Sequence, residues 1–316
     1  MSLPSNLPTF QPSTAPSILL GVDAGGSHTT AAIARPDLTV LARADGPGTP
    51  LRPGAAAATA ATIAEVATRA ARAAGIPLPA DRAVVGAAGA GRAFERRELR
   101  DAIAAHGLAR LLEVVADGEI ALAAAFGTEP GILLNAGTGS IAYARDRTGR
   151  LRRSGGYGWQ LGDEGSGYWI GRRALASAAK ARDRMGEASG LLARILATLG
   201  LREFDELVRW ATTATPSQVA ALATPVLAAA KDGDALARRI TAEAAVELVE
   251  LVQVVEPMFA PDDPLIVAAA GGLLREESPL YIAFRARLQA ALPRVQLREI
   301  IVDAPLGAVR LAAEMK

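Results

Sequence analysis

The 316-residue chain is half hydrophobic, carries a formal net charge of +1 and contains no cysteine. This length allows one large hydrophobic core or, as we expect, two of about 100–150 residues each. The nearly balanced charge provides no strong field for nucleic acid or an anionic membrane, so we expect neither as a partner. The lack of cysteine excludes disulfides, cysteine-ligated zinc and iron–sulfur clusters.

Residues 1–17, MSLPSNLPTFQPSTAPS, lack both the basic start and the apolar core of a signal peptide or membrane span. We expect them to form a disordered tail of a cytoplasmic protein.

A glycine hairpin is predicted at residues 18–33, ILLGVDAGGSHTTAAI. An apolar strand leads into a polar turn, and a return strand with period-two alternation follows. Glycines let peptide N–H groups converge on a phosphate, and hydroxyls add donors. Asp23 precedes the turn and is our candidate for holding Mg²⁺ through water, since Mg²⁺ keeps much of its hydration shell. The residues predicted to contact phosphate are Gly25, Gly26, Ser27 and Thr29.

Strands and helices alternate in the next hundred residues, and Asp117 stands where a strand ends and a helix is about to begin. A carboxylate there can cap the helix or accept a proton in catalysis, and the residues alone leave both roles open. The predicted elements are a strand at 38–44, a turn-rich loop at 45–54, a helix at 55–74, a strand at 83–88, a helix at 93–106, a strand at 111–116 and a helix at 119–126.

A second glycine hairpin follows at residues 131–144, GILLNAGTGSIAYA. We interpret the two hairpins as an internal duplication, and expect Gly137, Thr138 and Gly139 to bind phosphate together with the first turn. The period-two return strand argues against a dinucleotide fold or a P-loop, in which a helix follows the glycines. The alternative is that both segments are ordinary hairpin turns.

A glycine-rich loop at residues 155–167 carries Asp163 and Glu164. Its backbone can approach a small ligand closely, while the carboxylates accept hydrogen bonds from vicinal hydroxyls. Asp163 could also cap the helix that follows, and the two roles are compatible. Tyr157 and Trp159 could stack on a sugar face or belong to the protein wall.

The remaining chain is mostly helical, with two further strands. Gly271 and Gly272 follow the first of these strands and allow either a strand–helix turn or close approach to a flat ligand. The predicted helices span 168–185, 187–199, 203–213, 217–230, 234–259, 279–292 and 306–315, and the strands span 265–270 and 296–302. This alternation predicts an α/β fold.

Four motifs, VDAGGSHTT, LNAGTGS, GGYGWQLGDEGSGYWIG and AAGGLL, resemble in this order the N-acetylglucosamine kinase branch of the BadF/BadG/BcrA/BcrD ATPase family. The resemblance implies a two-lobed actin-like ATPase (ribonuclease H-like) fold, with duplicated domains and a cleft between them. The N-terminal lobe would comprise residues 18–115 with 304–316 packed back on it, and the C-terminal lobe residues 116–303. A homodimer is expected by the same likeness.

The resemblance also implies roles for single residues in an enzyme that uses ATP and Mg²⁺ to phosphorylate the 6-hydroxyl of a small-molecule amino sugar, above all N-acetylglucosamine. Asp117 would accept the proton of the sugar hydroxyl. Gly271 and Gly272 would meet adenosine. The residues expected to contact the sugar are Thr49, Asp117, Thr138, Gly156 and Asp163.

Two departures from the family pattern bear on the substrate. Ile141 and Thr49 stand where asparagines that contact the sugar are expected, and each change removes an amide that both donates and accepts hydrogen bonds. Glucosamine or another hexosamine is therefore an alternative acceptor. His28 stands where relatives often have Lys or Arg. We expect this replacement to weaken a phosphate contact.

Two functions of other classes compete with a kinase. A BadF-type ATPase component would require a cysteine-ligated cluster, and this chain has no cysteine. A sugar-responsive regulator without turnover is disfavoured because Asp117 is retained and no helix-turn-helix segment precedes the first hairpin. The cysteine-rich zinc loop of bacterial ROK kinases is also missing.

Overall fold

The computed structural model describes residues 17–26, 28–183, 185, 189–262 and 265–316. The chain divides into two compact units. Unit 1 contains the residues up to Ile120 together with Ala304–Lys316, and unit 2 contains Ala121–Asp303. In the part of the chain that is described, no helix is long and apolar enough to cross a lipid bilayer.

Unit 1 is built on a five-stranded sheet in the order β3-β2-β1-β4-β5. Strand β1 is antiparallel to β2 but parallel to β4, which is parallel to β5. The carboxyl ends of β1, β4 and β5 therefore lie side by side. The elements are β1 Leu19–Ala24, β2 His28–Ala34, β3 Val40–Pro47, α1 Ala56–Ala74, β4 Ala80–Ala87, α2 Ala93–Ala104, β5 Ala109–Ala116, the start of α3 Asp117–Phe126, and α11 Ala304–Glu314.

Helices cover both faces of this sheet. Helix α1 buries Ile63 and Val66 against one face and ends at the predicted Gly75, which has φ +68°. Helix α11 packs on the other face, so closely that a Cβ on Gly21 of β1 would collide with the Pro305 carbonyl and lie 2.7 Å from Val309 Cγ2. Gly21 thus allows the backbone of β1 and that of α11 to meet.

Unit 2 repeats the plan with the sheet order β10-β9-β6-β7-β8. Strands β6, β7 and β8 are antiparallel neighbours, and β9 and β10 extend the sheet in parallel. The elements are β6 Gly131–Ala136, β7 Ser140–Arg145, β8 Leu151–Gly155, α4 Gly167–Arg182, α5 Leu191–Leu199, α6 Phe204–Thr213, α7 Pro216–Ala221, α8 Ala223–Lys231, α9 Ala235–Val255, β9 Leu265–Ala270, α10 Pro279–Ala291 and β10 Val295–Glu299.

Both glycine hairpins are confirmed, one strand was not predicted, and two other predictions need correction. The missed strand is β8, whose exposed Leu151 and Arg152 give no apolar alternation. The predicted helix at 217–230 is two helices, α7 and α8, since Pro225 has no N–H to continue the hydrogen bonds of α7. The third strand, β3, begins at Val40 and extends to Pro47, into the predicted loop.

Candidate functional site

The carboxyl edge of the unit 1 sheet carries Asp23 near the end of β1 and Asp117 just after β5, on either side of β4. In the register, Ala24 pairs with Ala87 and Ala87 with Ala116. Asp117 follows Ala116 as the first residue of α3, and Asp23 precedes Ala24. Asp117 Oδ1 accepts a hydrogen bond from the Gly118 N–H at 2.9 Å, a local contact within the first helical turn.

Asp23 is half-buried, and burial raises its pKa to about 6. This value already includes the effect of His28, which lowers the pKa, and the smaller effect of the negative charge of Asp117, which raises it. A partly buried carboxylate such as Asp23 could hold a divalent cation through water, because Mg²⁺ keeps much of its hydration shell. No group of three or more potential metal-ligating side chains occurs among the described residues.

The first glycine turn is closed by a hydrogen bond from Gly25 N–H to the His28 carbonyl at 2.9 Å. The Gly25 carbonyl accepts from the Thr49 N–H at 3.0 Å, so Thr49 lies beside this turn. Gly26 is exposed, and a Cβ on it would meet open space. Ser27 lies outside the described residues.

Thr29 does not provide the predicted hydroxyl donor. Its side chain is fully buried, and its Oγ1 donates to the Pro47 carbonyl at 2.8 Å. The hydroxyl therefore ties β2 to the end of β3, and Thr29 is not carried into the proposed site.

A contact that the sequence did not reveal holds the start of α3. Glu119 Oε1 accepts from the Ala116 N–H at 3.0 Å and from Arg96 Nη2 at 3.1 Å. Arg96 Nε also donates to the Ala90 carbonyl at 3.1 Å. Glu119 at the third helical position is a capping signal visible in the sequence, but its pairing with Arg96 on α2 depends on the tertiary fold. We call these three contacts the Arg96–Glu119 clamp.

In unit 2, the second glycine turn is bonded to the N-terminus of α4. The carbonyls of Gly137 and Thr138 accept from the N–H groups of Gly167 and Tyr168 at 2.8 and 3.2 Å. Because C=O and N–H point in opposite directions across a trans peptide, the N–H groups of Thr138 and Gly139 point away from α4. Two successive N–H groups oriented in this way are suited to binding an anion.

Asp163 lies directly over this turn. A Cβ on Gly139 would come within 2.8 Å of both carboxylate oxygens, and Asp163 Oδ1 accepts from the Ser140 N–H at 3.3 Å. Burial raises the pKa of Asp163, and the charge of Glu164 adds to the effect. Asp163 has φ +65°, a left-handed conformation that is uncommon outside glycine. Such local strain is frequent at ligand sites.

The alternative role of Asp163 as a helix cap is wrong. Helix α4 begins after Ser166, whose Oγ accepts from the Trp169 N–H at 3.2 Å. Ser166 is fully buried, so the cap fixes the end of the Asp163 loop.

Gly156 is also beside the second turn. Its N–H donates to the Ser140 carbonyl at 3.1 Å, and it has φ +71°. A Cβ there would collide with the Ile141 side chain, so Gly156 rests directly on it. Tyr157 and Trp159, which follow in the loop, are both exposed.

The loop after β9 adjoins the same turn. Strand β9 runs parallel to β6, and Gly271, with φ +94°, lies against the Ala136 carbonyl and Asn135 Oδ1. Gly272 faces open space. Within unit 2 the structure thus brings together six of the predicted site residues: Gly137, Thr138, Gly139, Gly156, Asp163 and Gly271.

Two five-stranded mixed sheets, each an antiparallel meander extended by parallel strands and covered by helices, define the two-lobed actin-like ATPase fold. The fold prediction is confirmed. The sequence profile of the BadF/BadG/BcrA/BcrD ATPase family matches residues 20–312, and the chain belongs to this family.

Individual relatives agree with this assignment. An N-acetylmuramic acid/N-acetylglucosamine kinase of Clostridium acetobutylicum is 34% identical over 298 residues, 93% of this chain and 97% of the relative. The structure of a candidate N-acetylglucosamine kinase from Chromobacterium violaceum is similar with a TM-score of 0.77 at 30% identity, covering 94% of this chain and 99% of that one. The ROK hexokinase of Thermus thermophilus, with 19% identity, a TM-score of 0.55 and coverage of 94% and 97%, shares the fold.

Proposed function

We propose that this protein is an ATP-dependent amino-sugar kinase that transfers the γ-phosphoryl group of MgATP to the 6-hydroxyl of N-acetylglucosamine. The names of the Clostridium acetobutylicum and Chromobacterium violaceum relatives support the amino-sugar acceptor. Glucosamine or another hexosamine is the second candidate, because Ile141 and Thr49 replace expected amide side chains.

The observation that carries this proposal is the position of Asp23 and Asp117 at the same carboxyl edge of the unit 1 sheet, at the ends of β1 and β5. Phosphoryl transfer to a hydroxyl needs a proton acceptor and a divalent cation on the phosphates. Asp117 is proposed as the acceptor, since it begins α3 at the end of β5. Asp23 is proposed to hold Mg²⁺ through water, and the bound ion would neutralise charge on the phosphate oxygens.

The nucleotide phosphates are assigned to backbone donors of the glycine turns, Gly25 and Gly26 in unit 1 and Gly137 to Gly139 in unit 2. Gly271 and Gly272 are assigned to adenosine, because the open space at Gly272 permits close approach of a flat ring. The sugar is assigned to Asp163, Gly156, Thr138 and Thr49. Asp163 is a fitting acceptor for vicinal hydroxyls because the loop holds its carboxylate in one place over Gly139.

The test is ADP release with MgATP and a panel of N-acetylglucosamine, glucosamine, N-acetylmannosamine and glucose. Stimulation by an amino sugar supports the proposal, and a lack of stimulation by every sugar contradicts it. The phosphorylated position is read from the product by ³¹P-coupled NMR.

Asp117→Asn should lower kcat by roughly 10²–10⁴-fold, the usual contribution of a positioned proton acceptor. Nucleotide affinity should stay near that of the parent, because the variant keeps the shape of the side chain. A fully active Asp117→Asn variant would remove Asp117 from the mechanism.

We also propose a cytoplasmic homodimer on the basis of family likeness. Light scattering of the full chain measures the mass, and a monomer at all concentrations would contradict the dimer.

A further inference from the structure

Arg153 lies on the edge strand of the unit 2 sheet, beside the residues assigned to the sugar. It is directly opposite Tyr143 of β7. Directly paired residues of antiparallel strands have their side chains on the same face. The neighbouring pair, Ser154 and Ala142, lies on the other face, where Ala142 packs in the core with α9. Arg153 therefore shares a sheet face with Tyr143 and Ile141.

The guanidinium of Arg153 is held at the start of the glycine-rich loop. Its Nη1 lies 3.4 Å from the Gly156 carbonyl oxygen, and its central carbon is 5.0 Å from the centroid of the Tyr157 ring. Gly156 in turn rests on Ile141. Arg153, Tyr157, Gly156 and Ile141 thus form one corner of the proposed sugar site, with a cation beside an apolar wall.

The charge of this corner is not neutralised by the described part of the protein. Within that part, Arg153 has no carboxylate at ion-pair distance, although its side chain is half-buried. The other charged groups on β7 and β8 are also arginines, namely Arg145, whose Nη2 donates to the Gly127 and Glu129 carbonyls, and the exposed Arg152. A guanidinium does not lose its proton in proteins, and it binds a carboxylate through two parallel hydrogen bonds.

We propose that Arg153 binds a carboxylate on the amino-sugar substrate, so that the enzyme accepts amino sugars bearing a short carboxylic acid substituent. This inference rests on the proposed function. Ile141 would contact the alkyl part of the substituent in the place where the family pattern has an amide. N-acetylmuramic acid, which the Clostridium acetobutylicum relative is named for, has this chemistry and serves as the probe.

The experiment measures kcat/KM for N-acetylmuramic acid, its uncharged methyl ester and N-acetylglucosamine with the parent and three variants. Arg153→Gln should lower kcat/KM for the acid by about 10–100-fold, as expected when a charged hydrogen bond is lost. Its effect on the ester and on N-acetylglucosamine should stay below about threefold. Arg153→Lys should retain part of the preference for the acid over its methyl ester, because lysine keeps the positive charge. Arg152→Gln is the matched control, since it removes the same charge from the adjacent, exposed position of β8.

Each outcome decides the inference. A fall in the acid-to-neutral ratio in Arg153→Gln, but not in Arg152→Gln, supports it. If the parent phosphorylates N-acetylglucosamine but Arg153→Gln leaves the acid-to-neutral ratio unchanged, this inference alone is overturned. Arg153 is then only a surface partner of Tyr157. Equal losses in both arginine variants would indicate a general effect of charge and also overturn it. If none of the sugars is phosphorylated, the proposed function itself falls, and this inference falls with it.

Discussion

Asp23 shows how the surroundings of one residue set its chemistry. Burial and the charge of Asp117 oppose ionisation of Asp23 in the folded chain, so its pKa lies near 6. A carboxyl group whose pKa is raised by folding stabilises the fold at low pH, and this contribution is lost as the pH rises through the folded pKa. For Asp23 the loss falls between about pH 4 and pH 6. A cation that binds the ionised form of Asp23 would reverse this loss of stability.

The first prediction concerns the free energy of folding that is lost when the buried carboxyl group of Asp23 ionises. Without nucleotide and with EDTA, Asp23→Asn should raise the melting temperature at pH 7.5, because it removes an ionised and poorly solvated carboxylate. The gain corresponds to roughly 2–3 kcal/mol and should nearly vanish at pH 4, where Asp23 is already protonated. Asp37→Asn is the control with the opposite sign, because the Thr39 N–H and hydroxyl lower the pKa of this exposed carboxyl. An equal gain at both pH values would contradict the argument.

The second prediction uses two glycines of the same turn. Gly139→Ala places a methyl group against the Asp163 carboxylate, whereas a methyl group on Gly137 meets open space. Displacing Asp163 should raise the sugar KM by about 10-fold or more, the effect of losing a hydrogen bond to a charged group. Gly137→Ala should raise it much less. Steady-state kinetics with sugar and ATP varied separately give both constants. The Asp163 assignment fails if the two variants raise the sugar KM equally.

At the scale of elements, the start of α3 is held from two sides. The Arg96–Glu119 clamp connects the Ala116 N–H, immediately before Asp117, to the Ala90 carbonyl in the loop after β4. The ion pair is partly exposed, so its contribution to stability is modest. Its geometric effect is larger, because it fixes the Val115–Ala116 peptide, one residue before Asp117.

The third prediction is that Glu119 acts as a positioning residue. Glu119→Gln keeps an acceptor for Ala116 but loses the charge that attracts Arg96, so kcat should fall by about tenfold while both KM values stay within about threefold. The double variant with Arg96→Gln should be no worse than either single variant, since both remove the same interaction. The exposed Glu113 of β5 provides the control, Glu113→Gln. A lower melting temperature with unchanged kcat would show that the clamp is only structural.

The sequence allowed the elements to be predicted where the pattern is local. Both hairpins alternate with period two around glycine turns, and Gly75 ends α1 as predicted. The break at Leu222, just before Pro225, was missed because the alanines and leucines on either side continue one helical pattern. The left-handed Asp163 was missed as well, since its conformation depends on Gly139 and Ser140, which are distant in sequence. Pairings such as Arg96 with Glu119 require the tertiary fold.

On the scale of the whole molecule, unit 1 is discontinuous in sequence. Helix α11 returns after the whole of unit 2 to cover Leu19, Ala32 and Val84, which are fully buried. Arg82 holds the C-terminal end of α11, because its Nη1 donates a hydrogen bond to the Met315 carbonyl at 2.6 Å. The sheet that carries Asp23 and Asp117 therefore depends on a segment encoded far downstream.

The fourth prediction tests this dependence. Val309→Asp buries an unpaired charge in the contact between α11 and β1, which should cost on the order of 3–5 kcal/mol. Hydrogen exchange should show loss of protection in β1 and β4, while β6 and β9 of unit 2 keep theirs. The exposed Glu314→Ala on the same helix is the control. Unchanged protection of β1 would show that α11 is dispensable.

The late arrival of α11 has a consequence during protein synthesis. Unit 2 is an uninterrupted stretch of chain and can fold while the ribosome is still synthesising the protein. In unit 1, by contrast, one apolar face of the sheet stays exposed to solvent until residues 304–316 have been synthesised. A polypeptide that stops before this helix would lack the packing that holds the sheet beneath Asp23 and Asp117, the acidic groups proposed for catalysis.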